Sequence, residues 1–131
     1  MPLTLTQANQ VIAGAIAKAE AMGIKINVAV CDVGGRLVAF ARMDGAMWAG
    51  VYGSQGKAVA SAAAGVPSGN LTERADHPTW RHIVAASGGH IALGQGAVPI
   101  RIDGELVGAC GVGGGTAQED EDCAQAGVDG L

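Results

Sequence analysis

Aromatic side chains are nearly missing from this 131-residue chain: it has two Trp, one Tyr and one Phe, 3% of positions. So few rings leave no stacking platform of the kind that reads single-stranded nucleic acid. Basic residues are also scarce, eight Lys plus Arg against twelve Asp plus Glu, for a formal charge of -4. Without a basic stripe or tail, neither nucleic acid nor an anionic membrane is an expected partner.

Cysteine is limited to Cys31, Cys110 and Cys123, with no C-x-x-C pair. An odd count at these spacings is no disulfide framework, so a reducing cytoplasmic setting is expected. No run approaches the roughly 18 apolar residues of a membrane span. The opening "MPLTLTQANQ" lacks the charged start and apolar stretch of a secretory signal, and a soluble protein is expected. His77, His82 and His90 match no zinc spacing, and H-E-x-x-H does not occur, so zinc catalysis is not expected.

What the chain has instead is small and aliphatic: 49% hydrophobic positions and 22 glycines. Its length fits one domain with a core of its own. The mean hydropathy of +0.29 is high for an acidic chain. Apolar surface buried between subunits accounts for such a value, and a homo-oligomer is expected.

Apolar residues recur every three or four positions from Leu5 to Met22, with Thr4 or Thr6 able to cap and Gly23 to stop, which predicts an amphipathic helix. "KINVAVCD" and "RLVAFAR" predict an antiparallel hairpin over 25–42. Residues 47–64 favour a helix, although Gly50, Gly53 and Gly56 each weaken it by roughly 1 kcal/mol relative to Ala. A neighbouring element or ligand close to that face would explain them. A helical turn over 70–75, a helix from His77-Pro78 to about Ala86, a second hairpin turning at Asp103-Gly104, and a helix from Ala117 to about Gly127 follow. That order makes an α+β domain with an antiparallel sheet.

The run "GVGGGTAQEDED" invites a phosphate-loop reading, but Thr116 stands where a third glycine of G-x-G-x-x-G is needed, and no Walker lysine is present. Glu119, Asp120, Glu121 and Asp122 crowd the positive end of the coming helix and would repel a phosphate. Thr116 and Glu119 instead spell a capping box. Gly113, Gly114 and Gly115 then form a turn into the helix that allows close approach of another segment or of a flat ligand.

The stretches "VCDVGGRLVAFARMDGA", "GKAVASA", "GAVPI" and "DGELVGACGVGGGTAQEDEDCAQAG", in this order and spacing, resemble the GlcG/HbpS family, small haem-binding-protein-like domains that also form the C-terminal part of PduO. The resemblance covers nearly the whole chain. It implies a profilin-like fold with a five-stranded antiparallel sheet flanked by helices, assembly into oligomers and, in some members, binding of haem or a corrinoid. Family members occur in varied catabolic settings, where an enzyme of small molecules is equally compatible with the fold.

Several residues are candidates for a site. Lys57, at the family's "KA" position, could hold a ligand carboxylate or act as a base, or could be a surface lysine with its stem laid along apolar neighbours. Arg42 could clamp a carboxylate with Asp44 orienting it, or the two could form a turn ion pair. Asp32, before Gly34 and Gly35, suits either a turn or a proton-transfer role. Glu73 and His77 lie in "ERADHPTWRH", the stretch richest in titratable groups; His77 is a candidate haem-iron ligand or simply a helix-start residue.

Two functions follow. In the first, the protein binds haem or a related planar, carboxylate-bearing ligand among Arg42, Lys57, His77 and the turn Gly113, Gly114 and Gly115. In the second, it is an enzyme moving protons on a small organic acid or carbonyl compound, with Lys57, Asp32, Glu73 or His77 as acid or base and Arg42 as anchor. An accessory protein acting through its surface is a third possibility.

Overall fold

A computed structural model describes residues 1–131. Helix α1 spans Leu5–Met22, opened by a capping box in which Thr4 Oγ1 accepts the Gln7 N–H and closed by Gly23 in the left-handed conformation. Strands β1 (Asn27–Asp32) and β2 (Leu37–Arg42) form the first hairpin, followed by α2 (Ala49–Ala64), a 3₁₀ helix (Ser68–Arg74) and α3 (Pro78–Ala86). Strands β3 (Ala97–Ile102) and β4 (Glu105–Gly113) make the second hairpin, and α4 spans Ala117–Asp129. Asp103 and Gly104 both take positive φ, 52° and 81°, the two-residue turn that an Asp-Gly pair favours between antiparallel strands.

The sheet is antiparallel and four-stranded, ordered β2-β1-β4-β3. The five-stranded sheet implied by the resemblance is not formed. The two hairpins supply every strand, and the chain between β2 and β3 is spent on α2, the 3₁₀ helix and α3.

The strand period of two divides the sheet into unlike faces. Val28, Val30, Cys110 and Val112 point to one side, where α1 and α4 cover them with Val11, Ile12, Ala15 and Ala124 to make the main core. Ala29, Cys31 and Ala109 point to the other side, towards α2. Apart from Asn27 at one end, that second interface is built mainly from glycine, alanine, serine and cysteine, so α2 lies very near the strands. A methyl at Gly111 would run into the Ser54 carbonyl, and one at Gly50 into the Asn27 amide.

Candidate functional site

Because α2 crosses β1, β4 and β3, the same face of β2 is left uncovered. The gap is a cavity of about 770 Å³, floored by Ala29, Cys31, Gly56 and Ala58 and walled by Leu37, Tyr52, Gln55 and Val59. The size falls within the roughly 300–1,000 Å³ of small-molecule sites. Its polar groups are few: Arg36 from the β1–β2 turn, Gln55 and Tyr52 from α2, and His90 from the loop after α3.

The β1–β2 turn closes one end. Asp32 Oδ1 accepts the backbone N–H of Gly34 at 2.9 Å and of Arg36 at 3.0 Å, and Gly35, at φ 80°, stands beside Val59 of α2. Asp32 thus serves the turn that presents Arg36. His90 is presented by Gly88 and Gly89, at φ 71° and 83°. Cys31 forms part of the floor, but burial pushes its thiol up to about 12, with the Asp32 carboxylate adding to the effect. A thiol held protonated is no nucleophile.

Lys57 points the other way from α2. Its Nζ lies 3.4 Å from Asp120 Oδ2 and donates to the Gln95 carbonyl at 3.3 Å, and both side chains are largely buried. Asp120 also accepts the Gly115 N–H at 2.8 Å. The capping box forms as the sequence implies, Thr116 Oγ1 accepting from Glu119 and Glu119 Oε1 from Thr116. The three glycines serve packing: Gly113 lies against Gly50, Gly114, at φ 135°, against the Lys25 carbonyl, and Gly115 against Glu119.

The remaining candidates are dispersed. His77 begins α3, its Nδ1 accepting the Thr79 N–H at 3.3 Å, and it is exposed, as is Glu73. Arg42 ends β2 opposite Asn27, and it makes no ion pair with Asp44. None of Arg42, Lys57, Glu73, His77 or Gly113 to Gly115 lines the large cavity, and Asp32 lines only a smaller one of about 490 Å³ beside it. The sequence patterns above pick out neither Arg36, Tyr52 nor Gln55, and they bring in His90 only among the histidines that lack a zinc spacing. Only the pair Gly88-Gly89 before His90 signalled any of them, as a backbone break that puts a side chain on an arch.

Residues 3–129 match the family described as haem-degrading, HbpS-like proteins. The chain belongs to this family. Protein GlcG of Escherichia coli strain K12 is 30% identical over 110 residues, covering 84% of this chain and 80% of that protein. Klebsiella pneumoniae protein ORFY has a similar structure, with a TM-score of 0.89 at 26% identity over 98% of this chain and 89% of that one. A PduOC:haem complex superposes with a TM-score of 0.88 at 21% identity, covering 100% of this chain and 96% of that one, which shows the shared fold.

No helix is long and apolar enough to cross a membrane.

Proposed function

We propose that the protein binds a flat, carboxylate-bearing small ligand, with haem as the first choice, in the cavity between α2 and the β1–β2 turn. The observation that carries this reading is one cavity with an apolar floor of small residues and with Arg36 and His90 among its few polar groups. The residues fit the group. The His90 imidazole is a side chain of the kind that ligates haem iron, Arg36 has the fork that a propionate accepts, and Ala29, Ala58 and Val59 offer a surface without bulk. Membership of a family described as haem-degrading, and the fold shared with a PduOC:haem complex, support haem over other planar ligands.

The proton-transfer alternative gains less support, because Lys57, Asp32, Glu73 and His77 do not converge on this cavity. The acid-base groups that do lie there are His90 and Tyr52, and an enzyme built on this fold would use them.

Self-association is part of the proposal. Leu37 and Tyr52, which line the cavity, are 51% and 71% exposed, Trp48 packs edge-on against Tyr52 and is 67% exposed, and β2 is an edge strand with charge only at its end. Apolar surface of this kind is ordinarily covered in a stable oligomer. Three free, buried thiols support a reducing cytoplasmic setting.

The test is a haem titration followed by the Soret band in the wild type, His90→Ala, Arg36→Ala and His77→Ala. Saturable binding that weakens at least about tenfold in the first two variants and holds in His77→Ala supports the assignment, tenfold being about 1.4 kcal/mol. Loss confined to His77→Ala contradicts it.

A further inference from the structure

His90 stands on a very short arch. Its first foot is Ser87, at the C-terminus of α3, where the hydroxyl donates to the Val84 carbonyl at 2.7 Å. Its second foot is Ile91, 9% exposed and packed with Ala60 and Leu71, followed by Ala92, whose N–H bonds to the Gly56 carbonyl of α2 at 3.1 Å. Between the feet lie only Gly88, Gly89 and His90.

The two glycines give the arch its path, not its rigidity. Both take positive φ, and a methyl on Gly89 would meet nothing within 4 Å, so backbone conformation alone demands glycine there. One interaction spans the arch: the Ile91 N–H donates to Ser87 Oγ at 3.2 Å. The hydroxyl therefore accepts from one foot while donating back into α3, and is held from both sides.

We propose that Ser87 is the positioning residue of the ligand site: its hydroxyl locks the Gly88–His90 arch so that the His90 imidazole is presented to the cavity. The inference rests on the reading of His90 as the ligand's partner. Two adjacent glycines leave a chain with wide conformational freedom, and a mobile His90 would have to be ordered each time a ligand arrived. With Ser87 in place, that ordering is completed during folding. Ser87 itself does not line the cavity and acts through His90.

The test compares the wild type, Ser87→Ala and Ser87→Thr, all checked for an unchanged thermal transition. In the unliganded proteins, ¹⁵N relaxation at Gly89 and His90 should show order parameters near ~0.85 in the wild type and Ser87→Thr, falling below about 0.6 in Ser87→Ala. In haem titrations, Ser87→Ala should bind on the order of tenfold more weakly, and it should have no further effect in a His90→Ala background. Equal order parameters in the wild type and Ser87→Ala overturn the proposal whatever haem does. A loosened arch with unchanged haem affinity overturns the positioning role and leaves haem binding standing. A wild type with a rigid arch and no saturable haem binding overturns the ligand reading, and the proposal that rests on it, while leaving the Ser87 lock intact.

Discussion

Lys57 Nζ and Asp120 Oδ2 sit 3.4 Å apart beneath the protein surface, joining the middle of α2 to the first turn of α4 across the end of the sheet. The lysine that the sequence offers as a ligand or base candidate is engaged here in a largely buried ion pair. Breaking such a pair is costly because the survivor is left uncompensated in a poorly solvated place. Lys57→Met is expected to lower unfolding stability by about 3 kcal/mol near neutral pH, read from urea denaturation, while haem affinity stays within about twofold of wild type. A large loss of affinity without loss of stability would return Lys57 to the ligand site.

The same pair sets a pH dependence. Burial raises the Asp120 carboxyl above its ordinary 3.8, against the opposing pull of the Gly115 N–H and of Lys57. The folded chain then takes up this proton at a higher pH than the unfolded chain does. The stabilising contribution is complete below the unfolded value and is lost as pH rises through the folded one. Compared with Asp120→Asn, which cannot titrate, the wild type should gain relative stability as pH falls from about 7 towards about 4. Urea midpoints across that range check the sign, and a wild type that loses stability relative to Asp120→Asn on acidification contradicts it.

A glycine in the interface between α2 and the sheet and one on the open face of α2 should respond in opposite directions. A methyl at Gly111 collides with backbone of Ser54 and Ala58, so Gly111→Ala is expected to cost roughly 1–3 kcal/mol or more by forcing α2 off the sheet. Gly53 has nothing within 4 Å of its missing methyl. Gly53→Ala should therefore stabilise the protein by up to about 1 kcal/mol through helix propensity alone. Thermal melts of the two variants give the comparison directly.

The thiols should be silent until the chain opens. Burial pushes Cys31 up to about 12 and Cys123 up to about 11, the latter helped by the carboxylates of Asp120 and Asp122, and it raises Cys110 as well. Reaction with a disulfide reagent near pH 8 is expected to be slow in the native protein and to proceed at all three cysteines in urea. Fast labelling of native Cys31, on the cavity floor, would show an ionised thiol there.

The secondary structure was legible because local signals agreed. Thr4 and Thr116 both cap the helices they precede, Asp103-Gly104 turns the second hairpin, and His77-Pro78 starts α3. The site was much less legible, and the reason is topological. Arg36 comes from a turn, Tyr52 and Gln55 from one side of α2, and His90 from an arch more than fifty residues beyond Arg36. Their convergence depends on α2 leaving β2 uncovered, a packing relationship that no local pattern encodes. Lys57 and Arg42 attracted attention by residue type, yet the helical period turns Lys57 away from Gln55 and Val59, and Arg42 ends an edge strand outside the cavity lining.

The location of the ligand can be tested without touching any proposed contact. Gln55 lines the cavity and bonds only to the Val51 carbonyl within its own helix, so Gln55→Trp fills the space while sparing His90 and Arg36. Haem retention after gel filtration, measured for the wild type and for Gln55→Trp with matching thermal transitions, decides the matter. Stoichiometric retention by the wild type and its loss in Gln55→Trp is the expected result; equal retention by both would place the ligand somewhere other than beneath α2.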